Sequence, residues 1–248
     1  MTLPFELQID RGPAMGLIVL QTDELIEYEL GKLFLELGIR VYQNRIPSMP
    51  EVRPETLAMM GETMTASAQM LPDGAGIEVI GYGCTSGATI LGEARVTELV
   101  NAAHPKVLVS NPLSALKAAC RAMDVEKLGI VSPYVAEVNE ALKAALKVDG
   151  ISITAYGSFD QAEDQTVARI SPGSTLNAML EIGAKDCDAV FASCTNLRAM
   201  EIVADAEAAL DKPVLCSNQV LGWHMLRLAG IDGGGTGRGR LFEAGLSG

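Results

Sequence analysis

Two stretches decide how this chain is read: Glu78-Val-Ile-Gly-Tyr-Gly-Cys-Thr-Ser86 and Asp188-Ala-Val-Phe-Ala-Ser-Cys-Thr-Asn196. Each runs from an acidic residue through an apolar, strand-like run to a small residue, then to Cys-Thr and a polar side chain. The cysteines, Cys84 and Cys194, stand 110 residues apart, close to half of the 248 residues. This echo favours two α/β halves of similar construction. Each Cys-Thr turn would lie at the carboxyl end of a strand, where open α/β sheets bind ligands. A third strand end, Ile130-Val-Ser-Pro-Tyr134, offers hydroxyls where a helix is expected to start.

Outward from these turns, short apolar or β-branched runs alternate with longer amphipathic stretches. Strands are expected at 15–20, 39–43, 77–82, 106–110, 127–132, 151–156, 189–193 and 214–217. Helices are expected at 23–37, 54–71, 91–103, 113–123, 135–148, 175–184, 197–210 and 222–229. Runs such as Met15-Gly-Leu-Ile-Val-Leu20 are apolar on both faces, as in parallel strands covered by helices on both sides. Eight βα steps fit one open doubly wound sheet, two smaller sheets or a closed barrel; the echo favours two.

Composition narrows the function. Nineteen Lys and Arg against 31 Asp and Glu give a net charge of −12, and no basic cluster is present. Nucleic acid and anionic membranes are therefore poor partners. Hydrophobic residues make up 48%, enough for a packed core. No apolar run reaches the roughly 18 residues of a membrane span. The first residues lack the basic-then-apolar design of a signal peptide, which points to the cytoplasm. In that compartment five cysteines, an odd number, argue against a disulfide framework. With no CxxC and only His104 and His224, a dedicated zinc site is not expected.

A cysteine at a strand-to-helix turn faces free amides and the positive end of a helix dipole, both of which favour the thiolate. Thr85, Ser86, Thr195 and Asn196 add donors at the same height and make a cradle for a carboxylate. Two such turns across a cleft could move a proton on opposite faces of one carbon. Alternatively, one thiol could add to a double bond while the other protonates the neighbouring carbon. Neither scheme needs a metal, a nucleotide or an organic cofactor. The plainer alternative is that both thiols fill core, as Cys120, Cys187 and Cys216 are expected to, and that the threonines cap helices. The run Asp232-Gly-Gly-Gly-Thr-Gly-Arg-Gly239 fits neither GxGxxG nor GxxxxGK[ST]. It reads as a tail segment near the site, with Arg238 or Arg240 as anion contacts. His224, beside Trp223, reads as a packed histidine.

Gly81-Tyr-Gly-Cys-Thr-Ser-Gly87, Val131-Ser-Pro-Tyr134 and Ala192-Ser-Cys-Thr-Asn196 together resemble the aspartate/glutamate racemase superfamily, in the branch of maleate cis-trans isomerase and arylmalonate decarboxylase. Gly16-Leu-Ile-Val-Leu20 and Gly239-Arg-Leu-Phe242 extend the likeness over nearly the whole chain. The resemblance implies two pseudo-symmetric Rossmann-like domains, each a parallel sheet flanked by helices, with the active site between them. Residues 1–111 with 215–248 would form the first domain and 112–214 the second. It further implies a cofactor-independent isomerase or racemase acting on a small carboxylate, and a homo-oligomer. Cys84 would be nucleophile or base and Cys194 its acid/base counterpart. Thr85, Ser86, Tyr134, Thr195 and Asn196 would hold the carboxylate. In the decarboxylases the second cysteine acts alone, so a decarboxylase using Cys194 is the same-fold alternative. A non-catalytic small-molecule-binding protein of this fold is the other. One departure stands out: maleate isomerases carry Asn in the first strand-to-helix loop, whereas this chain has Asp23. An ionised Asp repels a dicarboxylate. Asp23 is therefore expected either to meet an ammonium or amide on an amino-acid-derived substrate, or simply to cap its helix.

Overall fold

The computed structural model describes residues 1–7 and 11–246. The first half comprises β1 (Ala14–Leu20), α1 (Ile26–Glu36), β2 (Arg40–Ile46), α2 (Pro54–Gln69), β3 (Ile77–Gly83), α3 (Thr85–Leu91), α4 (Glu93–Asn101) and β4 (Leu108–Ser110). There follow α5 (Pro112–Ala122), β5 (Lys127–Tyr134), α6 (Ala136–Val148), β6 (Ser152–Gln161), α7 (Asp164–Val167) and α8 (Pro172–Gly183). The chain continues through β7 (Ala189–Ala192), α9 (Val203–Leu210), β8 (Val214–Cys216) and α10 (Ser217–Leu228). Prolines at the starts of α2, α5 and α8 occupy the first helical turn, where their missing N–H costs nothing.

The strands form two parallel four-stranded sheets, ordered β2-β1-β3-β4 and β6-β5-β7-β8. In each half the order is second, first, third, fourth, so the echo seen in the sequence is a repeat of topology. The connections from the first strand and from the third run to opposite sides of this order, which opens a crevice at the carboxyl ends of those two strands. Thr22 and Asp23 follow the first strand of one sheet, and Tyr134 ends the first strand of the other. Cys84 and Cys194 follow the two third strands. Sequence periodicity thus places chemistry at the switch point of each sheet, and packing brings the two together.

All eight expected strands are present, with shifted ends. Several helices differ from expectation: α7 is additional, α10 starts at Ser217 and not at 222, and two segments near the cysteines depart further. The segment expected to be helical from Leu91 is broken at Gly92 (φ 85°), and a separate helix, α3, starts directly after Cys84. After Cys194 no helix follows directly. A turn runs to a short 3-10 segment, Met200–Ile202, and only then to α9. β8 pairs with β7 through Leu215–Phe191 and Cys216–Ala192, while α10 lies against β3, β4 and α1. The chain therefore leaves the second sheet after Cys216, two residues beyond the boundary expected between 214 and 215. No helix is long and apolar enough to cross a membrane among the described residues.

The tail is fastened to this frame. Buried Glu207 accepts the amides of Val214 and Arg240. Trp223 and Arg227 donate to the carbonyl of Ala244. At Gly239 (φ 88°) an added Cβ would stand 2.7 Å from Val203 Cγ1 and 3.1 Å from Glu207 Oε2. Positive φ and lack of space act together, so Gly239→Ala is expected to destabilise the fold by about 1–3 kcal/mol, read as a lowered thermal midpoint.

Candidate active site

Cys84 is the residue from which α3 starts, and its Sγ accepts the amide of Gly87 at 3.1 Å. Thr85, in the first turn, donates its hydroxyl to Ser217 Oγ at 2.8 Å. Across the cleft Cys194 Sγ accepts the amide of Asn196 at 3.2 Å and lies 3.0 Å from the Tyr134 hydroxyl. The backbone amide of Cys194 also donates to Ser217 Oγ, at 3.0 Å. Thr195 Oγ1 reaches the carbonyl of Gly83 at 3.4 Å, the residue before Cys84. The two Cys-Thr turns are thus stitched to each other.

Leu20, Cys84, Thr85, Ser86, Tyr134, Asp164, Cys194 and Thr195 enclose one pocket. Its free volume is about 10 Å³, room for roughly one water. The thiols are 5% and 4% exposed. A strap of chain is bonded to the segment that carries Asp164: Val52 N donates to Ala162 O and Asp164 N to Pro50 O, each at 3.1 Å.

Asp164 is the residue that sequence reasoning missed. It is the first residue of α7, just beyond the end of β6, in a stretch with no motif, and only the tertiary fold carries it to the cleft. Its Oδ1 accepts from the Tyr134 hydroxyl at 2.9 Å and its Oδ2 from Thr22 Oγ1 at 2.6 Å. Cys194, Tyr134, Asp164 and Thr22 form an unbroken polar chain. Ser217 was also missed, having been read as the end of a strand.

The expected residues separate into those that face the pocket and those that build it. Cys84, Thr85, Ser86, Tyr134, Cys194 and Thr195 line the pocket. The side chain of Asn196 does not. Its Oδ1 accepts the amide of Glu24, and its Nδ2 donates to the carbonyls of Asp164 and Thr22. It is a brace between the halves, because a side-chain amide so placed has its hydrogen-bonding capacity taken by backbone. Asp23 is not among the residues that line the pocket, and its hydrogen bonds match the capping expectation. Oδ1 accepts the amides of Leu25 and Ile26, each at 2.8 Å, capping the start of α1. Oδ2 is buried without a hydrogen-bond partner of good geometry. Arg238 and Arg240 lie away from the pocket, paired with Glu36 and Asp211. His224 is packed, with Nδ1 2.8 Å from Ser110 Oγ. Among the described residues no group of three or more His, Cys, Asp or Glu side chains could hold a metal ion.

Electrostatics overturns one expectation. A helix start alone lowers a thiol pKa, but here burial outweighs it. Burial pushes Cys84 up to about 12, with Asp164 and Asp23 adding to the rise while the Gly87 amide and Tyr82 offset part of it. Burial, then Asp164, holds Cys194 well above the ordinary thiol range, against the pull of Tyr134 and the Asn196 amide. Burial also raises Asp164. Burial lifts Asp23 to about 6, opposed by the amides of Ile26 and Leu25 and the nearby Thr195 hydroxyl, and reinforced by Asp164. The pocket lining carries no Lys, Arg or His, so no cation there reverses these shifts.

Two pseudo-equivalent parallel sheets, each presenting a cysteine beyond its third strand to a shared pocket, define a class of two-lobed α/β proteins with thiol-lined clefts. This chain belongs to the arylmalonate decarboxylase family, whose sequence pattern matches residues 15–242. It is 25% identical to a maleate isomerase of Nocardia farcinica over 242 residues, covering 92% of this chain and 95% of the relative. It is 29% identical to the arylmalonate decarboxylase of Bordetella bronchiseptica over 128 residues, covering 50% and 52%. A solved structure of the Nocardia farcinica maleate cis-trans isomerase, a cysteine-to-serine variant with a covalently bound succinylcysteine intermediate, superposes with a TM-score of 0.85. That alignment is 24% identical and covers 93% of this chain and 98% of the other. The likeness establishes the fold.

The thiol shifts set the pH behaviour of the unliganded protein. Cys84 alkylation by iodoacetamide, followed by mass spectrometry, is expected to keep rising beyond pH 10, with no plateau near the free-thiol value of about 8.5. The carboxyl of Asp23 is the reverse of a stabilising salt bridge. Its raised pKa means that a cost is absent below 3.8 and fully present above about 6. Asp23→Asn keeps the Oδ1 acceptor and removes the buried charge. It should raise the free energy of unfolding, read from urea denaturation, at pH 8 but not at pH 4, by up to about 3 kcal/mol.

Proposed function

We propose that this protein is a cofactor-independent two-cysteine isomerase or racemase acting on a small carboxylate. The observation that carries the reading is the meeting of Cys84 and Cys194, one from each half, in a single enclosed pocket with a hydroxyl-rich floor. The thiols approach from pseudo-symmetric positions, as two-sided proton transfer requires. The Ser86 hydroxyl and the backbone amides of Thr85 and Ser86, in the first turn of α3, bind the carboxylate and stabilise the enediolate that forms when its α-carbon loses a proton. The hydroxyls of Thr85 and Tyr134 are held by Ser217 and Asp164 and must turn from them to join.

In racemisation the Cys84 thiol first releases its proton to solvent, the thiolate then takes the α-proton, and the electron pair moves onto the carboxylate. The Cys194 thiol then returns a proton to the opposite face, leaving Cys84 as thiol and Cys194 as thiolate. In cis-trans isomerisation the Cys84 thiolate adds to one carbon of a double bond and Cys194 protonates its neighbour. Rotation about the new single bond and reversal of both steps follow. Covalent addition is in keeping with the succinylcysteine adduct of the Nocardia farcinica isomerase. Tyr134 donates to Asp164, so its oxygen is oriented to accept from Cys194. After racemisation a protonated Asp164 returns a proton to the Cys194 thiolate through Tyr134 and is itself reprotonated from solvent, while Cys84 gives its proton to solvent, which resets the pair.

An amino-acid-derived substrate suits the lining better than a dicarboxylate does. Two buried carboxyls, Asp23 and Asp164, act on the pocket, and neighbouring cations are committed elsewhere. Arg45 is held by the carbonyls of Leu20, Gln21 and Asp23 and by Glu27, and Arg169 pairs with Glu24. A substrate that brings its own ammonium supplies the missing charge. A second reading, decarboxylation of a malonate-type acid by Cys194 alone, is favoured by the family match and by the Cys194–Tyr134 contact.

Three measurements separate these readings. Cys84→Ser and Cys194→Ser should each lower turnover by at least about 10²-fold. Retained activity in Cys84→Ser with release of carbon dioxide would support the decarboxylase instead. Deuterium from solvent should enter the α-carbon during racemisation, with the product's stereochemistry identifying the reaction. Asp23→Asn should increase turnover of maleate; an unchanged rate counts against the charge argument.

A further inference from the structure

One feature that the cysteine chemistry leaves unused is a cavity of about 220 Å³ between α1, the segment after Cys194 and the glycine-rich tail. It shares no lining residue with the cysteine pocket and is much roomier. Leu25, Met200, Ala204 and the ring of Tyr28 give it an apolar wall. Glu29 and Glu201 supply carboxyls, and Lys32, Arg198 and Arg238 supply cations. Arg238 is engaged by Glu36. Lys32 lies over the Tyr28 ring, and Arg198 spends only Nε on a hydrogen bond, to Ala168 O. Neither Lys32 nor Arg198 has an ion-pair partner among the described residues. In a chain of net charge −12, a cavity with this many cations around it is conspicuous.

Glu29 is only 9% exposed. Its Oε2 accepts from Asn218 Nδ2 at 2.7 Å, and Asn218 Nδ2 also donates to the carbonyl of Thr195 at 2.8 Å. Asn218 Oδ1 is buried with no partner. Burial, opposed by Asn218 and reinforced by Glu201 and Asp23, lifts Glu29 to about 7. A carboxyl so placed gains strongly when a cation comes to it. Through Asn218 it touches the residue after Cys194, and the residue before Asn218 is Ser217, which holds both Cys-Thr turns.

We propose that this cavity is a second ligand site for a small zwitterion, its ammonium on Glu29 and its carboxylate on Arg198 and Lys32, and that Asn218 couples occupancy to the Cys194 turn. The class is that of an α-amino acid with an aliphatic side chain, since one end of the site is acidic, the rim is basic and the wall is apolar. The inference stands apart from the reaction assigned to the cysteines.

Calorimetry with L-leucine, isocaproate and isoamylamine tests it, because the three probes share an aliphatic chain and differ in charge. Leucine should bind one site per chain at least about tenfold more tightly than either single-charge probe. Arg198→Ala and Glu29→Gln should each weaken it about tenfold, whereas Ser86→Ala, in the lining of the cysteine pocket, should leave it unchanged. Arg198 is exposed and Glu29→Gln retains an acceptor for Asn218, so both variants should fold, as circular dichroism will verify. Saturating leucine should also change the alkylation rate of Cys194 by about fivefold or more in the parent protein and not in Glu29→Gln. No heat of binding, equal affinity for isocaproate, or loss of binding in Ser86→Ala overturns the site. Binding with an unchanged Cys194 rate overturns the coupling.

Discussion

The arrangement of the cleft depends on one hydroxyl. Ser217 Oγ accepts from the Thr85 hydroxyl and from the backbone amide of Cys194, and the residue is completely buried. It stands where β8 of the second sheet becomes α10, the helix that returns to the first. A buried oxygen that satisfies two donors cannot shift without leaving both unsatisfied, at a cost of about 1–3 kcal/mol each. The distance between the two cysteine turns is therefore set by a junction on a third element. Thr195 adds a crossing bond to Gly83, and Asn196 ties the second turn to the β1–α1 loop through Glu24 and Thr22. These are hydrogen bonds within a water-poor interior, where they fix position more firmly than they would at a surface.

The same burial that makes the stitching firm decides the charge state. At an exposed helix start, amides and dipole lower a thiol pKa. In this cleft the loss of water outweighs the Gly87 amide, and the nearby carboxyls of Asp164 and Asp23 work in the same direction. The resting site is thus a set of neutral thiols beside two reluctant acids. Charge arrives with the ligand. A carboxylate finds hydroxyls and amides instead of guanidinium groups, and an ammonium finds carboxyls that become easier to ionise as it binds. The global charge of −12, which disfavours polyanionic partners, says little about such a ligand, since the field inside the pocket is made by groups within a few ångströms.

Much of this was legible in the sequence because it is periodic or local. The eight strands appear as apolar runs, and the repeated Cys-Thr turns reveal the repeat of topology. Tyr134 was found because the Pro-Tyr turn ends a strand. What escaped is what tertiary packing creates. Asp164 lies in an acidic stretch, Ala162-Glu163-Asp164-Gln165, whose composition is that of any solvated turn. Only the bond to Tyr134 and the strap to Pro50 give it a role. Ser217 is a small residue at a strand end, with nothing in its neighbours to distinguish a clamp from a cap. Asn196 was read as facing the ligand because it is polar and adjacent to Cys194-Thr195, but its amide group is consumed by backbone. The thiol pKa was misjudged for the same reason, since a helix start is visible in sequence and the depth of its burial is not.

The two halves repeat in topology but not in the surroundings of their sulfurs, and this difference bears on the chemistry. Cys84 begins a helix. Its sulfur receives the Gly87 amide, and the nearest phenol acting on it, that of Tyr82, points its hydroxyl toward Met60 Sδ. Cys194 begins no helix, and its sulfur meets Tyr134, which is itself bonded to Asp164 and through it to Thr22. An amide can support negative charge on sulfur but cannot exchange a proton with it on the time of turnover. A phenol bonded to a carboxyl can do both. Cys84 is accordingly the better seat for a thiolate that attacks or abstracts, and Cys194 the better source of a proton that must be delivered and recovered. Gene-scale symmetry would give two equal thiols; the helix on one side and the tyrosine–aspartate chain on the other assign them different tasks, in keeping with the order of steps proposed for them.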